Sequence, residues 1–267
     1  MKNIYFIICL LILAACSTYE SGYQDLPLII DGSSSDWNTT LESKNTGISH
    51  GISNDTEYLY IRLNISDTDI QKKILMAGLT IWIDTCGKKK ESLGIICPIQ
   101  KAPARINQNA MKSLNNPPKF NKDQILEAEF IGFKESVESY YIDNNPYEIK
   151  VSIDIDEFRS MYYEMRIPLL NIYKNYTDLS LKSLSIGFET GAIKMPNQDQ
   201  MSANMGGGRS GGMDSPSRGK GGGRSGGMGG KPGGMSGGIP NQSSIINLTS
   251  PTKFWIKNIQ LAQFNNK

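Results

Sequence analysis

The chain has 267 residues, 39% of them hydrophobic and 20% charged, with a formal net charge of +2. It holds one histidine and 27 glycines. A single histidine excludes zinc hydrolases built on two or three His ligands and forces any Ser-His-Asp triad through His50, while the near-neutral charge excludes the broad basic surface of a dedicated nucleic-acid binder.

The chain opens with Lys2, an apolar run over residues 4–13, and Ala14-Ala15-Cys16. This is the layout of a secretory signal, with a charged n-region, an apolar h-region and a small-residue cleavage site. The run is too short to span a bilayer as a mature helix. Leu13-Ala14-Ala15-Cys16 looks like a bacterial lipobox. Residues 1–15 are therefore expected to be removed, Cys16 to be lipidated (palmitate-type acyl chains), and residues 16–25 to form a small, polar tether. Several acyl chains on one residue give stable anchoring, so the expected address is the cell envelope, on the outer membrane, facing the periplasm or the surface. Cys9 leaves with the signal, and Cys86 and Cys97 remain in an oxidising compartment. A disulfide between them stays open as an expectation, because a tight hairpin through residues 87–90 would not set the two opposite each other.

After the tether, residues 26–31 form a short apolar run ending in the turn pair Asp31-Gly32. Residues 47–53 alternate weakly. Asn54-Asp55 makes a turn, and residues 57–65 then alternate cleanly, with Leu59, Ile61, Leu63 and Ile65 on one face and Tyr58, Tyr60, Arg62 and Asn64 on the other. Residues 67–76 predict a short helical turn, 78–84 a buried strand and 93–98 its return. Residues 99–122 are polar and rich in Pro and Asn, which predicts an irregular loop with some helix. Further strands are expected over 125–133, 138–142, 147–155, 162–169 and 181–190.

Residues 195–245 break this pattern. Seventeen of the 27 glycines and six of the 11 methionines fall there, and no aromatic stands between Phe188 and Phe254. Such a segment cannot bury enough apolar surface to offset its ordering entropy, which predicts disorder. Over residues 206–238 the basic residues Arg209, Arg218, Lys220, Arg224 and Lys231 against Asp214 give a net +4. Taking that and Lys2 from +2 leaves the remaining body at −3. The tract has no His or Cys beside its methionines and no aromatics among its arginines, so an insertion in a surface loop is the plain reading. Residues 254–264 follow it and are too apolar to be left loose. They predict a final strand that docks into the sheet.

Eight to ten short strands at roughly ten-residue spacing, with few helices, argue for one antiparallel β-sandwich over residues 26–264, of Ig-like or jelly-roll-like type, carrying the disordered Gly/Met-rich loop. Five features stand in order along it: Ile30-Asp31-Gly32 with Asp36-Trp37, then residues 54–61 (NDTEYLYI), 79–84 (LTIWID), 163–169 (YEMRIPL) and 184–189 (LSIGFE). Together they resemble the carbohydrate-binding module family 9 domain and its wider DOMON-like superfamily. The resemblance implies a non-catalytic sandwich that binds glycan, at most an accessory to glycoside-hydrolase systems, with Asp36-Trp37 plugging one end. It also implies a terminal sugar clamped between two tryptophans. Those two places fall here at Met76-Ala77-Gly78 and near Ile245-Ile246-Asn247, and neither holds an aromatic.

The candidate glycan-binding residues are therefore Tyr58, Tyr60 and Arg62 on one strand face, together with Trp82. Tyr140-Tyr141 and Tyr162-Tyr163 form further aromatic pairs. An alternative is a structural or interaction lipoprotein that holds a protein partner with no sugar site. A remote alternative is a haem-binding domain with His50 and Met165 as axial ligands. No cofactor and no metal are expected. A calcium site on Asp67 and Asp69 and paired carboxylates around Asp154, Asp156 and Glu157 are conceivable, but turn and alternation context explains these residues.

Overall fold

Short strands close into hairpins where a side chain satisfies the turn. At Asn54-Asp55 the Asp55 carboxylate accepts from the Glu57 and Tyr58 amides at 2.7 and 2.6 Å, which sets β4 (Ile48–Asn54) against β5 (Tyr58–Ile65). The computed structural model describes residues 18–33, 35–37, 41–44, 46–99, 120, 126–134, 139–173, 183–194 and 242–263. The expected signal with Cys16, the stretch 100–119 and the glycine tract through residue 241 lie outside the described residues.

Ahead of β4 run β1 (Tyr19–Glu20), β2 (Gly22–Tyr23) and β3 (Glu42–Lys44). After β5 come α1 (Thr68–Ala77), β6 (Leu79–Asp84), β7 (Leu93–Ile96), β8 (Glu127–Ile131), β9 (Tyr140–Tyr141), β10 (Lys150–Ile155), β11 (Met161–Pro168), α2 (Leu169–Ile172), β12 (Leu184–Thr190), α3 (Gln242–Thr249) and β13 (Lys253–Gln260). They build two sheets. One has seven strands in the order β1-β13-β12-β6-β7-β8-β9. The other has six, ordered β10-β11-β5-β4-β2, with β3 also on β4. The architecture is the β-sandwich expected. Its pairs are antiparallel except β1 with β13 and β2 with β4, which run parallel.

The core fills the gap between the sheets. Leu59, Ile61, Leu63 and Ile65 of β5 are fully buried, as are Leu79 and Ile81 of β6, Phe188 of β12, and Met161, Tyr163 and Met165 of β11. Full burial of such a side chain stabilises by about 2 kcal/mol each. A smaller core lies on the outer face of the six-stranded sheet. There residues 25–37 cross β5 and β11, and Leu28, Trp37 and Tyr60 pack together against Ile30 and Tyr58.

Four local expectations are corrected. Residues 26–31 form no strand, because they are spent covering the six-stranded sheet. Trp37 plugs no end of the sandwich and instead lies under this covering segment. Within residues 16–25, expected to be a loose tether, Tyr19–Glu20 and Gly22–Tyr23 each join a sheet. Ser21 stands between them: its amide bonds Gln260 O at 3.0 Å, and its hydroxyl receives the Ala262 amide at 2.9 Å. The helical turn over 67–76 is a helix of 10 residues, capped by Asp67 and stopped at Gly78, whose φ of 90° suits glycine.

Candidate functional site

Alternation along three strands sets one row of residues on the outer face of the seven-stranded sheet. Leu79, Ile81 and Ile83 of β6 point inward, which leaves Thr80 and Trp82 outside. The same rule leaves Gly187 and Glu189 of β12, and Lys253 and Trp255 of β13, on that face. The register then aligns Trp255 with Gly187, Gly187 with Trp82, and Trp82 with Gly94 of β7. Tryptophan and glycine alternate across four neighbouring strands.

The glycines show how the indoles lie. A Cβ on Gly94 would stand 2.6 Å from Cζ3 of Trp82, and one on Gly187 would stand 2.7 Å from Cε2 of Trp255. Each indole occupies the space of its neighbour's missing side chain and rests on that neighbour's backbone. Trp82 is held at both ends. Its benzo ring covers Gly94 on β7, and its Nε1 donates to Glu189 Oε2 on β12 at 2.9 Å. The ring thus lies lengthwise across three strands. Both tryptophans are half-buried, with one face on the backbone and the other turned outward.

A charged rim borders the row. Lys253 Nζ donates to Glu189 Oε2 at 2.8 Å and also reaches Glu91. Burial pushes the Glu189 carboxyl up, but hydrogen bonds from Lys253 and Trp82 outweigh it and hold the group below its ordinary value. The same bonds, to Glu189 and Glu91, raise Lys253. The rim therefore stays a carboxylate–ammonium pair at neutral pH. Flat π-surfaces beside such a pair suit a pyranose, whose C–H face stacks on the ring while its hydroxyls meet the charges.

Of the four residues expected from the sequence to bind glycan, Trp82 alone stands in this row; Tyr58, Tyr60 and Arg62 lie on the opposite sheet and are corrected. Tyr60 is 0% exposed, and its hydroxyl donates to Asp55 Oδ2 at 2.6 Å. Tyr58 is half-buried under the Arg166 guanidinium, 4.4 Å from its ring centroid. Arg62 is 7% exposed, between the rings of Trp37 and Tyr162 at 5.8 and 5.7 Å. The cause is the covering segment 25–37, which Glu164 holds down. Its Oε2 accepts from the Gly32 and Asp31 amides at 2.9 and 3.2 Å, and its Oε1 accepts from Trp37 Nε1 at 2.7 Å.

The remaining candidates are absorbed by the fold. His50, expected on a polar strand, is fully buried, with the rings of Tyr19 and Phe254 at 6.0 Å, Phe188 at 6.4 Å, and the Glu42 carboxylate 3.9 Å from Nε2. Met165 belongs to the inter-sheet core. Asp67 caps α1, Asp69 pairs with Lys72, and Asp156 accepts from the Ser160 amide and the Tyr162 hydroxyl. Cys86 and Cys97 are both free. Cys97 bonds to Leu79 at the start of β6, whereas Cys86 lies beyond the end of that strand. Some seven strand residues separate them, roughly 20 Å, and a disulfide needs Cα atoms within about 7 Å. Tyr140 and Tyr141 line a shallow pocket of about 360 Å³ with Glu127, Ser139 and Asn144 at the far sheet edge.

Gly94, Gly187 and Trp255 were missed from sequence. The available signal was a glycine in the interior of two apolar strands, Leu93-Gly94-Ile95 and Ile186-Gly187-Phe188, which marks a close approach. Which residue approaches depends on cross-strand register.

No family model matches the chain, and no curated protein matches it. Among solved structures it is similar to a carbohydrate-binding module of family 9 from Caldicellulosiruptor kristjanssonii in complex with glucose. That match has 11% identity and a TM-score of 0.32, covering 65% of this chain and 78% of that one. The same kind of module in complex with cellotriose matches at 12% identity and a TM-score of 0.30, covering 65% and 76%. The likeness is distant, and what this chain can bind is decided by its own residues.

Proposed function

We propose that this chain is a non-catalytic glycan-binding sandwich, anchored to a membrane of the cell envelope through lipidated Cys16. The observation that carries the binding role is the Trp82–Trp255 row. Two large aromatic rings with their outer faces free, pinned by glycine backbones and bordered by an ion pair, make a platform with no part in the inter-sheet core. Such a surface gains most when an apolar sugar face displaces its water. The Leu13-Ala14-Ala15-Cys16 sequence supports the anchor. Asp156, one of the carboxylates considered for catalysis, is engaged by the Ser160 amide and the Tyr162 hydroxyl, which supports a binding role over hydrolysis.

The test is affinity electrophoresis and pull-down of the soluble domain on a panel of polysaccharides, beside the double variant Trp82→Ala/Trp255→Ala. The wild-type domain is expected to be retarded by at least one polymer, and the folded double variant to lose that retardation. Failure to bind any polymer would remove the glycan role. For the anchor, Cys16→Ser is expected to move the full chain from the membrane to the soluble fraction; an unchanged distribution would remove it.

A further inference from the structure

We infer that the ligand is an extended polysaccharide chain with equatorial linkages, lying across the strands along the Trp255–Gly187–Trp82–Gly94 row, rather than a single terminal sugar. This rests on the glycan-binding role proposed above and specifies its ligand.

The first reason is the number of faces each indole offers. A clamp that grips one sugar from both sides needs two rings standing up from the surface and facing each other. Here one face of Trp82 lies on Gly94 and one face of Trp255 lies on Gly187. Each ring has a single face to give, and both faces look the same way. Two stacked sugars side by side satisfy that arrangement, and one sandwiched sugar does not.

The second reason is spacing. Trp255 and Trp82 stand in register with β12 between them, so their Cα atoms are two strand widths apart, about 10 Å. That is the span of two linked pyranoses in a fully extended chain. Each indole is displaced by one strand onto its glycine, so the stacking surfaces keep that spacing, above Gly187 and Gly94. In such a chain alternate rings present the same face, so the rings over the two indoles would both stack while the ring between them passes over β6. A bent, axially linked chain cannot keep alternate rings coplanar over that distance.

The third reason is the one-sided rim. Glu189 and Lys253 form a register pair in the row beside the tryptophans. Glu189 fixes the Trp82 ring through Nε1, and its pair with Lys253 runs parallel to the proposed chain. The rim thus lines the flank of a chain and does not close its end.

Fluorescence titration of the soluble domain tests this with a glucose, cellotriose and cellohexaose series, and with maltohexaose as the bent control. Trp37 is buried at 8% exposure, so a spectral change on binding reports on Trp82 and Trp255. Engaging the second indole needs the third linked ring and adds one ring stack, so affinity is expected to rise about tenfold or more from glucose to cellotriose and to change little from there to cellohexaose. Trp255→Phe is expected to reduce that gain while leaving the melting curve near wild type. Gly187→Val, which displaces the Trp255 ring without removing it, is expected to abolish the gain. Glucose binding as tightly as cellohexaose, or maltohexaose matching it, would overturn the extended-chain inference and leave the glycan-binding role standing. If no member of the series binds, and no polymer binds in the electrophoresis panel, both fall together.

Discussion

Glu164 is the residue on which the covering segment depends. Three donors from residues 31–37 converge on it, yet burial prevails and pushes its carboxyl from 4.5 up to about 7. The folded chain therefore holds a proton that the unfolded chain releases between those values. Stability from this group is fully present below about 4.5 and is lost as pH rises through about 7. A wild-type melting temperature that falls more steeply from pH 5 to pH 8 than that of Glu164→Gln is the expected result. Equal slopes would show that Glu164 is ionised throughout. The pairing of Glu164 with Trp37 was illegible in the sequence, since 127 residues separate them. For the same reason Tyr58, Tyr60 and Arg62 read as an open stripe. Alternation reports two faces of a strand, but it does not report a coil segment laid over one of them.

At the scale of elements, most strands were legible because period-two alternation and turn pairs are local. Residues 57–65 and 78–84 match β5 and β6 to within a residue or so. The helix α1 was underestimated as a single turn, although its start was readable in the cap. Asp67 Oδ1 accepts from the Asp69 and Ile70 amides at 2.8 and 3.0 Å. Beyond the cap, α1 knits one end of the sandwich. Gln71 Nε2 bridges Ile65 O and Arg159 O, both at 2.7 Å, and Lys73 donates to Ser250 O at 3.1 Å. Asp67→Ala is expected to cost about 1 kcal/mol and lower the melting temperature by about 3 °C in calorimetry, with the proposed sugar binding unchanged, because Asp67 caps α1 and is on none of the strands that carry the tryptophan row. A shift of binding with stability would show that the two ends of the sandwich are coupled. The paired strands around Gly187 were legible as strands, whereas the indole above it was not. The platform is a property of register among four strands, and no single strand carries it.

At the scale of the whole molecule, the sheets divide the chemistry between them. The six-stranded sheet has its outer face covered by the chain itself, and the seven-stranded sheet carries the tryptophan row. Cys86 and Cys97 follow the same geometry, the first exposed at a loop and the second buried, its ionisation pushed well up by burial. In the soluble Cys16→Ser chain lacking residues 1–15, a maleimide is expected to label Cys86 under native conditions and Cys97 only after denaturation. Mass spectrometry reads the count. A native chain two hydrogens lighter and inert to the reagent would instead establish the disulfide.

The junction at Ser21 has a mechanical consequence. β1 runs parallel to β13 in one sheet, and β2 runs parallel to β4 in the other. A pull on the chain ahead of Tyr19, directed along the strands, therefore loads both ladders in shear. The force divides between the two sheets and meets the Ser21 bonds to Gln260 and Ala262 at the same moment. Under such a load the amino-terminal residues would have to slide along β13 and β4 rather than unzip from them, and sliding breaks a ladder's bonds together.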